Sequence, residues 1–241
     1  MIRVLVNGAR GRMGSVTCDA LRAADDTELV GATDLGDDLA AAIGAARAQV
    51  VVDFTVASAA LPNLRAILGA GAAAVVGTSG FDAVAVAEAR ELCARHGRPA
   101  VVAPNFAIAS VLLARFAAEA ARHLPHVELI EAHHDRKEDA PSGTALKVAA
   151  DIAAARPYVP RAPDSESVPG VRGGSVAGVR VHALRLPGLL ARMECLFGGP
   201  GDTLTLRHDT LTRESFMPGV LLAVRRVLAQ DGLVYGLEHL L

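Results

Sequence analysis

Tryptophan is absent from the 241-residue chain, aromatic residues make up 3% of it, and only three cysteines occur. So few aromatics leave little on which nucleic-acid bases could stack. With 24 basic against 26 acidic side chains there is also no polybasic field for a phosphate backbone. Cys18, Cys93 and Cys195 are odd in number and far apart, which argues against a disulfide framework, offers no C-x-x-C metal knuckle and predicts a reducing compartment. No apolar stretch approaches the roughly 18 residues that a membrane span needs, and the amino-terminal segment has no long apolar leader, so the expectation is a cytoplasmic protein without a membrane partner. Lysine is scarce too: Lys137 and Lys147 are the only two among 24 basic residues.

What is plentiful is apolar. A hydrophobic content of 51% excludes disorder, and the length suits one large or two modest domains, with a small ligand as the natural partner. From residue 2 to residue 102, short β-branched runs alternate with alanine-rich stretches, the pattern of a parallel α/β sheet. Strands are predicted over 2–6, 28–33, 50–54, 73–76 and 100–102, with helices starting near Met13, Ala60, Asp82 and Ile108. After Phe106 the pattern becomes α+β: a strand over 127–132, a helix over 144–155, then strands over 179–186, 191–197 and 203–208, whose spacing suits an antiparallel meander. Between them, residues 156–174 hold four prolines and read as a functional loop or an interface arm. The apolar helical face near the carboxyl terminus is expected to return to the first domain. The expected division is thus 1–106, completed by 213–241, and 107–212.

The first strand runs into Gly8-Ala9-Arg10-Gly11-Arg12-Met13-Gly14, a turn that opens a helix. Backbone amides and the positive end of the helix dipole suit a pyrophosphate there, and glycine removes the Cβ atoms that would hold it away. Asp34, 20 residues after Gly14 at the end of the second strand, stands where a dinucleotide site places the carboxylate for an adenosine ribose. Arg10 and Arg12 are each either a partner for a 2′-phosphate or a solvated surface residue, so NADH and NADPH both remain open. Two further strand ends, Gly77-Thr78-Ser79-Gly80 and Ala103-Pro104-Asn105-Phe106, are either nicotinamide contacts, with Asn105 on the carboxamide, or ordinary turns.

The densest chemistry lies in Glu131-Ala132-His133-His134-Asp135-Arg136-Lys137-Glu138-Asp139-Ala140-Pro141-Ser142-Gly143-Thr144-Ala145. Ser142 is a good helix N-cap and leaves the amides of Gly143 and Thr144 to receive an anion. A lysine in so arginine-rich a chain suggests an amine able to give up a proton. A solvated polar loop is the plainer alternative. Metal binding is disfavoured, since there is no H-E-x-x-H and adjacent histidines on an extended segment point to opposite faces.

These motifs, with Arg172-Gly173-Gly174, Arg207-His208-Asp209 and Phe216-Met217-Pro218-Gly219-Val220, resemble the dihydrodipicolinate reductase family over the whole chain. The resemblance implies a Rossmann-like cofactor domain and a smaller α+β domain with a mixed, largely antiparallel sheet that binds a small dicarboxylate and builds a homotetramer. It implies NADH or NADPH as hydride donor, no metal, and a place in diaminopimelate and lysine biosynthesis. The implied reaction passes hydride to C4 of the cyclic imine dicarboxylate 4-hydroxy-tetrahydrodipicolinate, with loss of the 4-hydroxyl as water, giving tetrahydrodipicolinate. By match to the motif, His133 is the proton donor or acceptor, Lys137 the second donor, and His134, Gly143 and Thr144 hold substrate carboxylates. The cofactor would lie on Gly8 to Met13, Asp34, Gly77, Thr78, Ser79 and the Ala103 to Phe106 turn. Leu35 stands where some members carry an arginine for the 2′-phosphate, and Ser79 where threonine is common, so use of both cofactors is expected. Two competing readings are another small nicotinamide-dependent reductase, which in the semialdehyde-dehydrogenase type needs a nucleophilic cysteine, and a non-catalytic redox sensor.

Overall fold

In the computed structural model, which describes residues 1–78, 80–157 and 165–241, the chain divides into two units. Unit 1 comprises Met1–Ile108 and Arg213–Leu241, and unit 2 comprises Ala109–Thr212.

Unit 1 alternates β1 (Ile2–Asn7), α1 (Arg12–Ala23), β2 (Thr27–Thr33), α2 (Leu39–Ala46), β3 (Val50–Asp53), α3 (Ala57–Gly69), β4 (Ala73–Val76), α4 (Ala83–His96) and β5 (Ala100–Val102). All strands of its sheet run parallel, in the order β2-β1-β3-β4-β5 and then β11 (Leu233–Tyr235) from the carboxyl-terminal segment. Every residue of β3, β4 and β5 is buried, as a parallel sheet covered on both faces requires. Helix α1 buries Gly14, Thr17, Cys18 and Leu21, one stripe at helical spacing. Helix α2, which the periodicity does not reveal, buries Ile43 alone; it is set by its ends, Asp38 accepting from the Ala41 amide and Arg47 turning left-handed.

Unit 2 contains α5 (Ile108–His123), whose first residue belongs to unit 1, β6 (His126–His133), α6 (Gly143–Ala155), β7 (Gly174–Val176), β8 (Val179–Arg185), β9 (Ala191–Gly199) and β10 (Asp202–Thr210). The expected meander is not what forms. The order is β10-β9-β6-β8-β7, so β6 lies between β8 and β9. Only β6 and β8 are parallel, because the crossover through α6 carries the chain back to the start of the sheet; the other pairs are antiparallel. Helices α5 and α6 cover one sheet face, packing Leu113, Ala117, Val148 and Ile152 on Leu129, Cys195 and Phe197. A 3-10 turn (Arg213–Phe216), α7 (Met217–Val227) and a last 3-10 turn (Leu237–Leu240) complete unit 1.

Candidate functional site

In unit 1 the carboxyl ends of the strands are tied by one buried carboxylate. Asp53, wholly buried at the end of β3, accepts from Asn7 Nδ2 at 3.0 Å, Asn63 Nδ2 at 2.7 Å, Thr55 Oγ1 at 2.7 Å and Thr78 Oγ1 at 3.0 Å. Asn7 in turn accepts from Thr33 Oγ1 at 2.9 Å. Strands β1, β2 and β3 and the turn after β4 are thereby held in register at the edge where open α/β sheets bind ligands.

The glycine turn is closely packed. Gly8 has φ +80, and a Cβ on it would stand 2.7 Å from the Phe54 carbonyl oxygen. The N-cap of α1 is Gly11, which has no side chain to bond the first-turn amides, so these amides carry no side-chain cap. Asp34 spans the turn: its Oδ2 accepts from the Arg10 amide and its Oδ1 from the Leu35 amide, both at 2.8 Å. These amides, Leu35 first, hold its carboxyl below the usual carboxylate range. Leu35 is 97% exposed, and the Arg10 guanidinium lies 3.7 Å from Asp37.

Thr78 is buried on Asp53, whereas Ser79 lies outside the described residues. At the last strand end, Asn105 Oδ1 caps the Ala107 amide at 2.8 Å. Ala103 and Phe106 are buried, the latter ring meeting Phe54 edge-on at 5.9 Å, so these two support the turn and present only backbone at its surface.

Unit 2 gathers the histidine–lysine segment around a second buried carboxylate. Glu131, fully buried on β6, accepts from His133 Nδ1 at 2.5 Å, from Arg185 Nη1 at 3.1 Å and Nη2 at 2.8 Å, and from the Ser142 amide at 3.2 Å. Burial pulls the His133 imidazolium below the ordinary histidine value, Glu131 opposes that shift, and Lys137 and Arg185 add to it. Lys137 Nζ bonds both oxygens of Asp139, at 2.6 and 2.9 Å, and this cation holds the Asp139 carboxyl low.

Ser142 caps α6 as expected, accepting from the Ala145 amide at 3.2 Å. Among the described residues, the Gly143 and Thr144 amides ahead of it have no protein partner, and His134 Nδ1 is a buried nitrogen without one. Two backbone donors and one buried ring nitrogen along this segment are thus without a protein partner.

Sequence reasoning passes over Asp53 and Arg185, and it places Glu131 in the segment without finding its bond to His133. A signal was present: an acid inside an otherwise apolar strand, as in Val-Val-Val-Asp and Leu-Ile-Glu-Ala, is costly unless it is bonded. Among the described residues no group of three or more His, Cys, Asp or Glu side chains is placed to hold a metal ion. All three cysteines are buried, burial pushing the Cys93 thiol up to about 11 and that of Cys195 up to about 12, which disfavours a thiolate nucleophile.

Known proteins match the chain over nearly its whole length. A family described as dihydrodipicolinate reductase, N-terminus, matches residues 2–106, and one described as dihydrodipicolinate reductase, C-terminus, matches residues 109–241. The chain is 46% identical to 4-hydroxy-tetrahydrodipicolinate reductase of Moorella thermoacetica, over 100% of this chain and 98% of the relative. It is 50% identical to the protein of that name from Nocardia farcinica, over 100% of this chain and 98% of the relative. A solved structure of dipicolinate-bound dihydrodipicolinate reductase from Paenisporosarcina sp. TG-14 superposes with a TM-score of 0.90 at 36% identity, covering 100% of both chains. A probable dehydrogenase from Thermotoga maritima, 11% identical, covering 99% of this chain and 92% of that one with a TM-score of 0.67, shares the fold. With both halves matched and close relatives spanning its full length, the chain belongs to the dihydrodipicolinate reductase family of oxidoreductases.

Proposed function

We propose that the protein reduces 4-hydroxy-tetrahydrodipicolinate to tetrahydrodipicolinate with NADH or NADPH, as a homotetramer of the cytoplasm in diaminopimelate and lysine biosynthesis. The observation that carries this reading is the loop of unit 2, where His133, backed by Glu131, shares one segment with the open Gly143 and Thr144 amides and the buried His134 nitrogen. A dicarboxylate is the natural complement of such donors at a helix N-terminus. The names of the relatives and the dipicolinate bound to the solved homologue support that substrate class.

In unit 1, the cradle left by Gly8 and Gly14 and the uncapped first-turn amides of α1 fit a dinucleotide pyrophosphate. Asp34, Gly77, Thr78 and the turn from Ala103 to Phe106 line the same strand edge. A nicotinamide cofactor bound there supplies a hydride. Once the 4-hydroxyl has left as water, hydride arrival at C4 of the resulting conjugated imine leaves an enamine that must take a proton. His133 gives that proton from Nε2, since Nδ1 is committed to Glu131, and Lys137 is the second donor once its bond to Asp139 is exchanged for substrate. His134, Gly143 and Thr144 hold the carboxylates. The tetramer reading is supported by the sheet face opposite α5 and α6, where no element of unit 2 among the described residues covers Leu184 and Leu196, 39% and 40% exposed.

The test is an assay in which dihydrodipicolinate synthase generates the unstable substrate while nicotinamide absorbance follows NADH and NADPH separately. Oxidation by wild type that falls by about 100- to 10,000-fold in His133→Gln and Lys137→Ala supports the reading. Tight dinucleotide binding without oxidation would overturn it in favour of a sensor.

A further inference from the structure

The pleat of β6 turns Glu131 and His133 to the same face, and the parallel register with β8 sets Arg185 directly beside His133. Glu131 is the only fully buried acid of unit 2 among the described residues, and its contacts fill both of its oxygens. Arg185 is equally committed. Its Nε donates to the Lys137 carbonyl at 3.1 Å, Nη1 to Glu131 and to the Leu184 carbonyl at 2.7 Å, and Nη2 to Glu131 and to the Asp139 carbonyl at 2.5 Å. A guanidinium has five N–H donors, and here each has an acceptor within the protein. Arg185 is therefore spent inward, as the counter-ion of Glu131 and a clamp on the segment that carries Lys137, rather than held out to an anion.

We propose that Glu131 is the positioning residue of the reaction: backed by Arg185, it holds His133 in the tautomer with hydrogen on Nδ1, leaving Nε2 as the one ring nitrogen that exchanges a proton with substrate. The proposal rests on the reading of His133 as proton donor. Its physical basis is that an ionised carboxylate only accepts, so the nitrogen facing it must carry hydrogen. Neutral His133 then presents a lone pair at Nε2, and the imidazolium presents the proton that is delivered. The arrangement also ties the two proposed donors together, because the arginine that neutralises Glu131 grips the backbone at Lys137 and Asp139. The charged groups acting on His133 are Glu131 on its own strand, Arg185 on β8 and Lys137 in the following loop. On β9 the neighbouring Arg192 is paired with Asp209, and on α6 Lys147 is paired with Asp151.

The test combines imidazole ¹⁵N NMR and kinetics on the full-length enzyme. In wild type, neutral His133 is expected to carry hydrogen on Nδ1. In Glu131→Gln the volume is kept and the charge lost, so the His133 titration moves to lower pH and kcat falls about 10- to 100-fold, with NADH affinity unchanged. In a His133→Gln background the same change should cost less than about twofold, because the two residues act as a unit. An equal loss in both backgrounds would make Glu131 a folding residue and overturn the proposal. So would neutral His133 protonated on Nε2 in wild type, a result that needs no variant to fold. Unchanged turnover in His133→Gln would instead sink the proton-donor reading itself, while the NMR titration still reports whether Glu131 sets the ring.

Discussion

Gly14 faces the Gly8 carbonyl so closely that a Cβ on it would stand 2.0 Å from that oxygen. Strand β1 and helix α1 meet at backbone distance, which sets how near a phosphate can come to the turn. Gly14→Ala must push the start of α1 away. Isothermal titration should show NADH affinity reduced at least about tenfold, with the Glu131–His133 site of unit 2 intact by ¹⁵N NMR; unchanged affinity would remove the turn from the cofactor site.

Asp53 should matter to stability as well as to cofactor binding. Asp53→Asn replaces an acceptor of several buried bonds with a group that both donates and accepts, leaving at least one donor of Asn7, Asn63, Thr55 or Thr78 unpaired. The expected cost is about 1–3 kcal/mol, read as a lower urea midpoint, together with weaker dinucleotide binding as the Thr78 turn loosens. A midpoint equal to wild type would mean that the network is not under load.

Acidification should destabilise the fold before the carboxylates titrate. His133 and His208 are both pulled below 6.5 by burial, so between their folded values and 6.5 the unfolded chain binds more protons than the native one. Stability therefore rises with pH through that window and is lost as pH falls below 6.5. Urea midpoints at pH 7 and pH 5.5 check the sign, and the difference should shrink in His208→Gln. A midpoint that rises on acidification would reverse the assignment.

Cofactor choice is expected to be weak, with less than about tenfold discrimination between NADH and NADPH. Arg10 is a cation that acts on Asp34, and its guanidinium lies 3.7 Å from Asp37. Removing that exposed pair in Asp37→Ala should raise kcat/KM with NADPH relative to NADH by up to about fivefold. A strong bias of the wild type in either direction would defeat the expectation of dual use, and no change in the variant would count against a 2′-phosphate role for Arg10.

The bare sheet face of unit 2 predicts association. Leu196→Arg places a charge on it and should shift the mass measured by light scattering from tetramer toward smaller species, while unit 2 stays folded. A wild-type monomer would defeat the tetramer reading outright.

Much of this architecture was legible because parallel strands buried on both faces leave near-continuous apolar runs. The first five strands were read to within a residue or two at each end, and α5 begins at Ile108 as its periodicity indicates. Helix α2 was missed because its alanines carry no stripe, and β7 and β11 because segments such as Gly174–Val176 are too short to show alternation. The expected pairing of β8 with β9 does not form, since a strand's pattern records which side faces the core and says nothing about which strand lies beside it.

Local chemistry was thus written in the order of residues: a glycine turn opening a helix, a serine cap at α6, two histidines and a rare lysine on one loop. Those features act over a few residues, where backbone geometry alone brings the groups together. The partnerships that give them direction were decided only by tertiary structure. Arg185 reaches Glu131 and the Lys137 carbonyl because β8 returns beside β6 through a crossover, and Asp53 joins four strand ends that are distant in the chain. A buried charge persists only where partners from several elements surround it, and which elements those are is a property of the folded packing.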